Sequence, residues 1–111
     1  MNLKAIRQSD SHQGFALITG ASAGLGEEFA RQLAAMRKPL ILVARREERL
    51  QSIAASLRKQ HDIQVEIITA DLSVPHAAED IANVCASKGW QVEWLVNNAG
   101  IAGPDLLKDR D

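Results

Sequence analysis

The chain has 111 residues, 46% hydrophobic and 24% charged, with 13 basic against 14 acidic side chains for a formal charge of −1. That is the balance of a single globular domain. It excludes a global field that would draw the chain to nucleic acid or to an anionic membrane, and no apolar run is long enough to span a bilayer. The single cysteine, Cys85, excludes an internal disulfide and fits a reducing compartment.

Met1 to Gln13 is polar apart from Leu3, Ala5 and Ile6, and Lys4, Arg7 and Asp10 interrupt any apolar region. Residues 1–13 therefore read as a mobile leader without a secretory pattern, and the chain as cytoplasmic, with its domain over 14–111. Phe15-Ala16-Leu17-Ile18 is a continuous apolar run, the pattern of a strand covered on both faces. A helix is expected from about Leu25 to Arg37, with Leu25, Phe29 and Leu33 on its buried stripe and Ala30 and Ala34 widening it. Glu27 and Glu28 fall in its first turn and Arg37 and Lys38 in its last, signs that suit the dipole, and Pro39 stops it. Leu40 to Ala44 is a second unbroken apolar run, suited to the centre of a parallel sheet.

A second helix is expected over Glu47 to Gln60, burying Leu50, Ile53, Ala54 and Leu57 and leaving Arg49, Arg58 and Lys59 outside. Gln64 to Thr69 alternates in part, as an edge strand does. Ser73 is read as an N-cap with Pro75 in the first turn of a third helix, whose apolar face is Ala78, Ile81, Val84 and Cys85 and which ends near Lys88-Gly89. Val92 to Asn97 is the last strand, and Ile101 to Asp111 is polar and loop-like. The order βαβαβαβ predicts an α/β fold, a Rossmann-type parallel sheet with helices on both faces and strand order 3-2-1-4. Its switch point lies between strands 1 and 4, and there a ligand would bind.

At that point stands Thr19-Gly20-Ala21-Ser22-Ala23-Gly24-Leu25-Gly26. Gly20 lets the chain reverse, Gly24 lets the backbone approach a bulky anion, and Gly26 lets the helix lie tight on the strand. The first free N–H groups of the helix and the positive end of its dipole face the turn, where a pyrophosphate is most stable. The spacing is Gly-x3-Gly-x-Gly. It differs from Gly-x-Gly-x-x-Gly because Phe29 holds the third glycine position, and from a nucleoside-triphosphate loop because Leu25 replaces a glycine and no Lys-Ser or Lys-Thr follows. A plain tight strand-to-helix connection is the bland alternative.

The turn resembles the Thr-Gly-x3-Gly-x-Gly motif of the compact short-chain dehydrogenase/reductase family, and Asn97-Asn98-Ala99-Gly100 resembles that family's second motif. The resemblance runs from about Phe15 onward and covers the cofactor-binding part of a family whose members are more than twice as long. It implies an NADP(H)-dependent oxidoreductase acting on a carbonyl or alcohol substrate, with Gly20, Ser22, Ala23, Gly24, Leu25 and Gly26 at the dinucleotide. Asp71 and Leu72 then stand at the adenine, Asn98, Ala99 and Gly100 form a wall against the cofactor, and Asn97 braces the strands. As bland alternatives, Asp71 caps its loop and the Asn-Asn pair is a turn. Epimerase-type relatives carry Gly-x2-Gly-x2-Gly, which the gap from Gly20 to Gly24 opposes.

The end of the second strand, where an NAD site carries a carboxylate for the ribose hydroxyl, holds Ala44 followed by Arg45 and Arg46. Arg45, with Arg46, offers a planar fork of donors to a 2′-phosphate, and Ser22 can donate to the same group. Each such bond contributes about 1.5 to 3 kcal/mol, which favours NADP(H) over NAD(H). The alternative is a pair of solvated charges at a helix start. His12, His61 and His76 show no metal-ligand spacing, and Trp90 and Trp94 read as core or edge packing.

The family's acid is a tyrosine with a lysine four residues on, helped by a serine, but this chain has no tyrosine. Lys108 is preceded by Pro104 at that spacing, and no serine follows the last strand. No catalytic residue is therefore expected in the chain. It reads as cut in the loop after strand 4, inactive alone, with hydride transfer belonging to a longer parent. A non-catalytic dinucleotide-binding or regulatory module is the rival that the short length admits. Val92, Leu95 and Val96 would form an exposed edge and make the piece self-associate.

Overall fold

The structure, a computed structural model, describes residues 14–98. The leader, Ala99, Gly100 and the segment from Ile101 to Asp111 lie outside the described residues. The elements alternate as β1 (Phe15–Thr19), α1 (Gly24–Ala35), β2 (Leu40–Ala44), α2 (Glu47–His61), β3 (Val65–Thr69), α3 (Ala77–Lys88) and β4 (Val92–Val96). All strand pairs are parallel and the spatial order is β3-β2-β1-β4, the expected 3-2-1-4. Ala16 pairs with Leu40 and with Trp94, so β1 sits between β2 and β4.

The strict alternation of side chains along a strand divides the apolar residues between two faces. Ala16, Ile18, Leu40, Leu42 and Val65 pack with Ala30, Leu33, Leu50, Ile53 and Leu57, the inner faces of α1 and α2. Phe15, Leu17, Ile41, Val43 and Ile68 pack with Ile81 and Cys85 of α3. Every residue of β1 and β2 is buried, as unbroken apolar runs require. Trp90 closes the second cluster against Phe15, with ring centroids 5.8 Å apart. Trp94 lies on β4 under the Lys38 ammonium, 4.9 Å from its ring centroid. Among the described residues no helix is long and apolar enough to cross a membrane.

Local expectations for α1, α3 and β4 are corrected. Helix α1 ends at Ala35, because Arg37 turns left-handed (φ 65°) and its N–H and that of Lys38 donate back to Ala34 and Leu33. Arg37 and Lys38 thus lie past the helix, which has no basic residue in its last turn. Its buried side is Gly26, Ala30, Leu33 and Ala34, while Leu25 is 55% exposed. Close approach to the sheet selects the small residues, so the stripe is rotated away from the bulky Leu25.

Helix α3 begins at Ala77, with His76 at the N-cap position and no side-chain cap bond. Ser73 is engaged elsewhere, by Asp71, and the chain from Asp71 to Ala77 is a pair of turns closed by Val74 N–H to Asp71 O and Ala77 N–H to Val74 O. Ala77 rather than Ala78 therefore faces the core. Finally, β4 ends at Val96, one residue before Asn97.

Candidate functional site

The carboxyl ends of β1, β2, β3 and β4 meet at the glycine turn. Gly20 and Gly24 both have positive φ, 64° and 59°, a region that side chains rarely tolerate. Space is not the constraint at Gly24, where a Cβ would meet nothing within 4 Å. At Gly26 it is: a Cβ there would lie 2.0 Å from the Gly20 carbonyl oxygen and 2.8 Å from Asn98 Nδ2. The Ala21 N–H donates to Val43 O at 3.1 Å and pins the turn to β2. Those of Ser22 and Ala23 find no backbone acceptor among the described residues. They stand beside the amino end of α1, where an anion is favoured.

The β1–β4 seam is held by side chains. Thr19 Oγ1 donates to Asn97 Oδ1 at 3.2 Å, so Asn97 braces the two strands. Asn98, expected at the cofactor, is buried, and its Nδ2 donates to Gly20 O at 3.3 Å. It holds the turn from behind, while Asn97 lines the cavity in front. Ala99 and Gly100 lie outside the described residues.

That cavity measures about 890 Å³ and is lined by Gly20, Ser22, Arg45, Arg46, Asp71 and Leu72 among others. The structure thus brings together residues from three separate strand-to-helix connections. Ala23, Gly24, Leu25 and Gly26 form the adjoining helix start and do not line the cavity. The Arg45 and Arg46 side chains are exposed and make no ion pair or hydrogen bond among the described residues. Asp71 Oδ1 accepts from Ser73 N–H at 2.9 Å and Ser73 Oγ at 2.7 Å. These bonds hold its carboxyl below the usual carboxylate range, with the nearby charge of Arg45 adding to the effect. Asp71 therefore both caps its loop and faces the cavity. Ala70, Val74, Pro75 and Ala78 also line it and were not expected there; Val74 and Pro75 arrive because α3 starts late and leaves its approach as open turns.

Sequence reasoning also missed Arg49. Its Nε donates to Ser22 O at 3.0 Å and its Nη2 to Glu27 Oε1 at 2.7 Å. Arg31 bonds the other Glu27 oxygen at 2.5 Å, and its hydrogen bond, with the charge of Arg49, holds the Glu27 carboxyl below its usual range. The signal was a cation in the first turn of α2, a place where the helix dipole disfavours one unless an acceptor holds it.

His76 Nδ1 pairs with Asp80 at 2.6 Å on the surface. Cys85 is buried and burial pushes its thiol up, the behaviour of a packing residue. Among the described residues no group of three or more His, Cys, Asp or Glu is placed to hold a metal ion.

The model of the short chain dehydrogenase family matches residues 14–111, and the chain belongs to that family. It is 35% identical over 108 residues to the 11-beta-hydroxysteroid dehydrogenase-like 4A of Arabidopsis thaliana, covering 96% of this chain and 36% of that protein. A solved short-chain dehydrogenase from Sphingobium yanoikuyae, in complex with NADPH, superposes with a TM-score of 0.71 and 37% identity, covering 81% of this chain and 35% of that one. The alcohol dehydrogenase of the archaeon Thermococcus sibiricus, complexed with 5-hydroxy-NADP, superposes with a TM-score of 0.69 and 33% identity over 74% of this chain and 35% of its own. The chain spans about a third of the length of the curated relatives it matches.

Proposed function

We propose that the chain is the NADP(H)-binding part of a short-chain dehydrogenase/reductase that moves hydride between the nicotinamide and a carbonyl or alcohol substrate. The observation that carries this reading is the Arg45–Arg46 pair, whose side chains make no hydrogen bond or ion pair among the described residues, at the mouth of a cavity whose other wall is a glycine turn at a helix start. The dinucleotide fits these residues: the Ser22 and Ala23 N–H groups and the α1 dipole meet the pyrophosphate, and the open space before Gly24 admits it. Arg45 and Arg46, with the Ser22 hydroxyl, hold the 2′-phosphate. Asp71 accepts from the adenine amino group, and the half-buried Leu72 lies against the ring. Asn97 braces the cofactor-facing end of β4 against β1, with Asn98 fixing the turn.

When bound, the cofactor supplies the hydride. This chain binds and orients it, and contributes no tyrosine to move the accompanying proton. The preference for the phosphorylated cofactor follows from the absence of a carboxylate at the end of β2 and from charge-assisted bonds of about 1.5 to 3 kcal/mol each. Titration of the chain with NADPH and NADH tests this. The expected result is NADPH binding at least about tenfold tighter, with Arg45→Asp abolishing the difference. Equal affinities for the two cofactors would overturn the assignment.

A further inference from the structure

We infer that Arg49 is a positioning residue for the 2′-phosphate pocket, fixing the spacing between the Arg45–Arg46 corner and the Ser22 turn; this rests on the NADP(H) reading above. The pocket is assembled from two pieces of chain, the β1–α1 turn carrying Ser22 and the β2–α2 corner carrying Arg45 and Arg46. Strand pairing registers them only as far as Thr19 with Val43, and one further backbone bond joins Ala21 to Val43. Past that point the planar guanidinium of Arg49, in the first turn of α2, spans the gap. It reaches the Ser22 carbonyl at 3.0 Å and the Glu27 carboxylate at 2.7 Å.

Glu27 is itself immobilised, its second oxygen taken by Arg31 and its side chain only 13% exposed. Arg49 is thus attached to the turn by its backbone and to α1 by a fixed carboxylate. It does not line the cavity, and its guanidinium N–H groups are taken up by the Ser22 carbonyl and the Glu27 carboxylate, so it is not itself placed as a phosphate ligand. Its place in the same helical turn as Arg46, the N-cap residue of α2, makes the corner and the Ser22 turn move as one body. A lysine cannot copy this, because one ammonium lacks the rigid fork that serves two acceptors at once.

The test titrates the full chain and its Arg49→Gln, Arg49→Lys and Glu27→Gln/Arg49→Gln variants with NADPH and NADH, and follows amide hydrogen exchange without nucleotide. Arg49→Gln should raise the Kd for NADPH about tenfold, the equivalent of one weakened charge-assisted bond, and that for NADH less than about twofold. Arg49→Lys should lie between. The double variant, which removes the carboxylate that Arg49→Gln leaves paired with Arg31 alone, should remain impaired. Exchange at Ala21, whose N–H is bonded to Val43 O, should quicken while β2 stays protected.

An unchanged NADPH to NADH ratio, or a parallel loss of both, overturns the positioning role. So does full recovery in the double variant, which would trace the loss to repulsion by Glu27. Should Arg49→Gln fail to fold, the ratio measured for Arg49→Lys decides between the same two outcomes. A wild-type chain that binds neither nucleotide overturns the NADP(H) reading and this inference together; binding with an insensitive ratio overturns this inference alone.

Discussion

Strands β2 and β4 both border β1, both run parallel to it and both have five residues, of which β2 reads Leu-Ile-Leu-Val-Ala and β4 reads Val-Glu-Trp-Leu-Val. Yet β2 is buried throughout, while on β4 Leu95 is 67% exposed and Val92 and Trp94 are also open. The difference comes from neighbours more than from composition. Strand β2 is paired on both edges, with α1 and α2 over one face and α3 over the other. Strand β4 pairs only with β1 among the described residues, and α3 packs on side chains of β1, β2 and β3 in a cluster that includes Leu17 but not its β4 neighbour Leu95. The apolar content of β4 is that of a strand built to be covered.

Replacing a side chain of each strand measures this contrast. Leu42→Ala in β2 should lower the unfolding free energy by about 3 kcal/mol, through lost transfer energy and the cavity it leaves. Leu95→Ala in β4 should change it by less than about 0.5 kcal/mol. Chemical denaturation of both variants reads the two values, and similar costs would mean that β4 is covered in solution.

Backbone crowding distinguishes the two regions next. Gly26→Ala places a Cβ against the Gly20 carbonyl, where backbone cannot yield as a flexible side chain does. It should cost about 1 to 3 kcal/mol of stability and weaken NADPH binding as well, whereas Gly24→Ala, strained only in its dihedral angle, should fall at or below the lower end of that range. Calorimetric titration with NADPH and a denaturant melt of each variant check the order.

Exposed strand edges recruit other strands. The wild-type chain should therefore self-associate in sedimentation at high concentration, and Leu95→Lys should restore a monomer with stability unchanged within about 0.5 kcal/mol. A monomeric wild type would break the link between the open edge and association.

The smallest effect concerns acid. Asp71 has a folded-state pKa lowered mainly by its bonds to Ser73. Its contribution is fully present above the ordinary aspartate value of about 3.9 and is lost as pH falls through the folded value. Asp71→Asn should therefore flatten that part of the acid limb in a melting series and leave the neutral plateau in shape. Glu27, held down by Arg31 and Arg49, acts in the same direction. An acid limb unchanged in both Asp71→Asn and Glu27→Gln would show that neither carboxylate governs the response to acid.

The periodic elements were legible because their signals are local. The apolar runs at Phe15 and Leu40 bounded their strands, and the burial of Leu50, Ile53, Ala54 and Leu57 on α2 followed from helical spacing. The start of α3 was not legible, since Ser73 has two uses and only the folded loop shows that Asp71 takes it. The buried side of α1 was misjudged at Leu25 because bulk is visible in a sequence and interaxial distance is not. Gly20, Ser22, Arg45, Arg46, Asp71 and Leu72 were singled out from motif and position, and one cavity collects them. Arg49 and the burial of Asn98 were invisible, because their partners lie 27 and 78 positions away in the chain.

By itself the order of residues determined the alternation of strand and helix, the parallel sheet with β1 at its switch point, and a glycine turn shaped for a phosphate. These are set by periodicity and by backbone dihedral demands, both of which act over a few neighbouring residues. Only the tertiary structure decided which arginines remain uncommitted and which one is tied to the turn. It also decided which asparagine is buried, since each depends on groups distant in sequence that share one small volume.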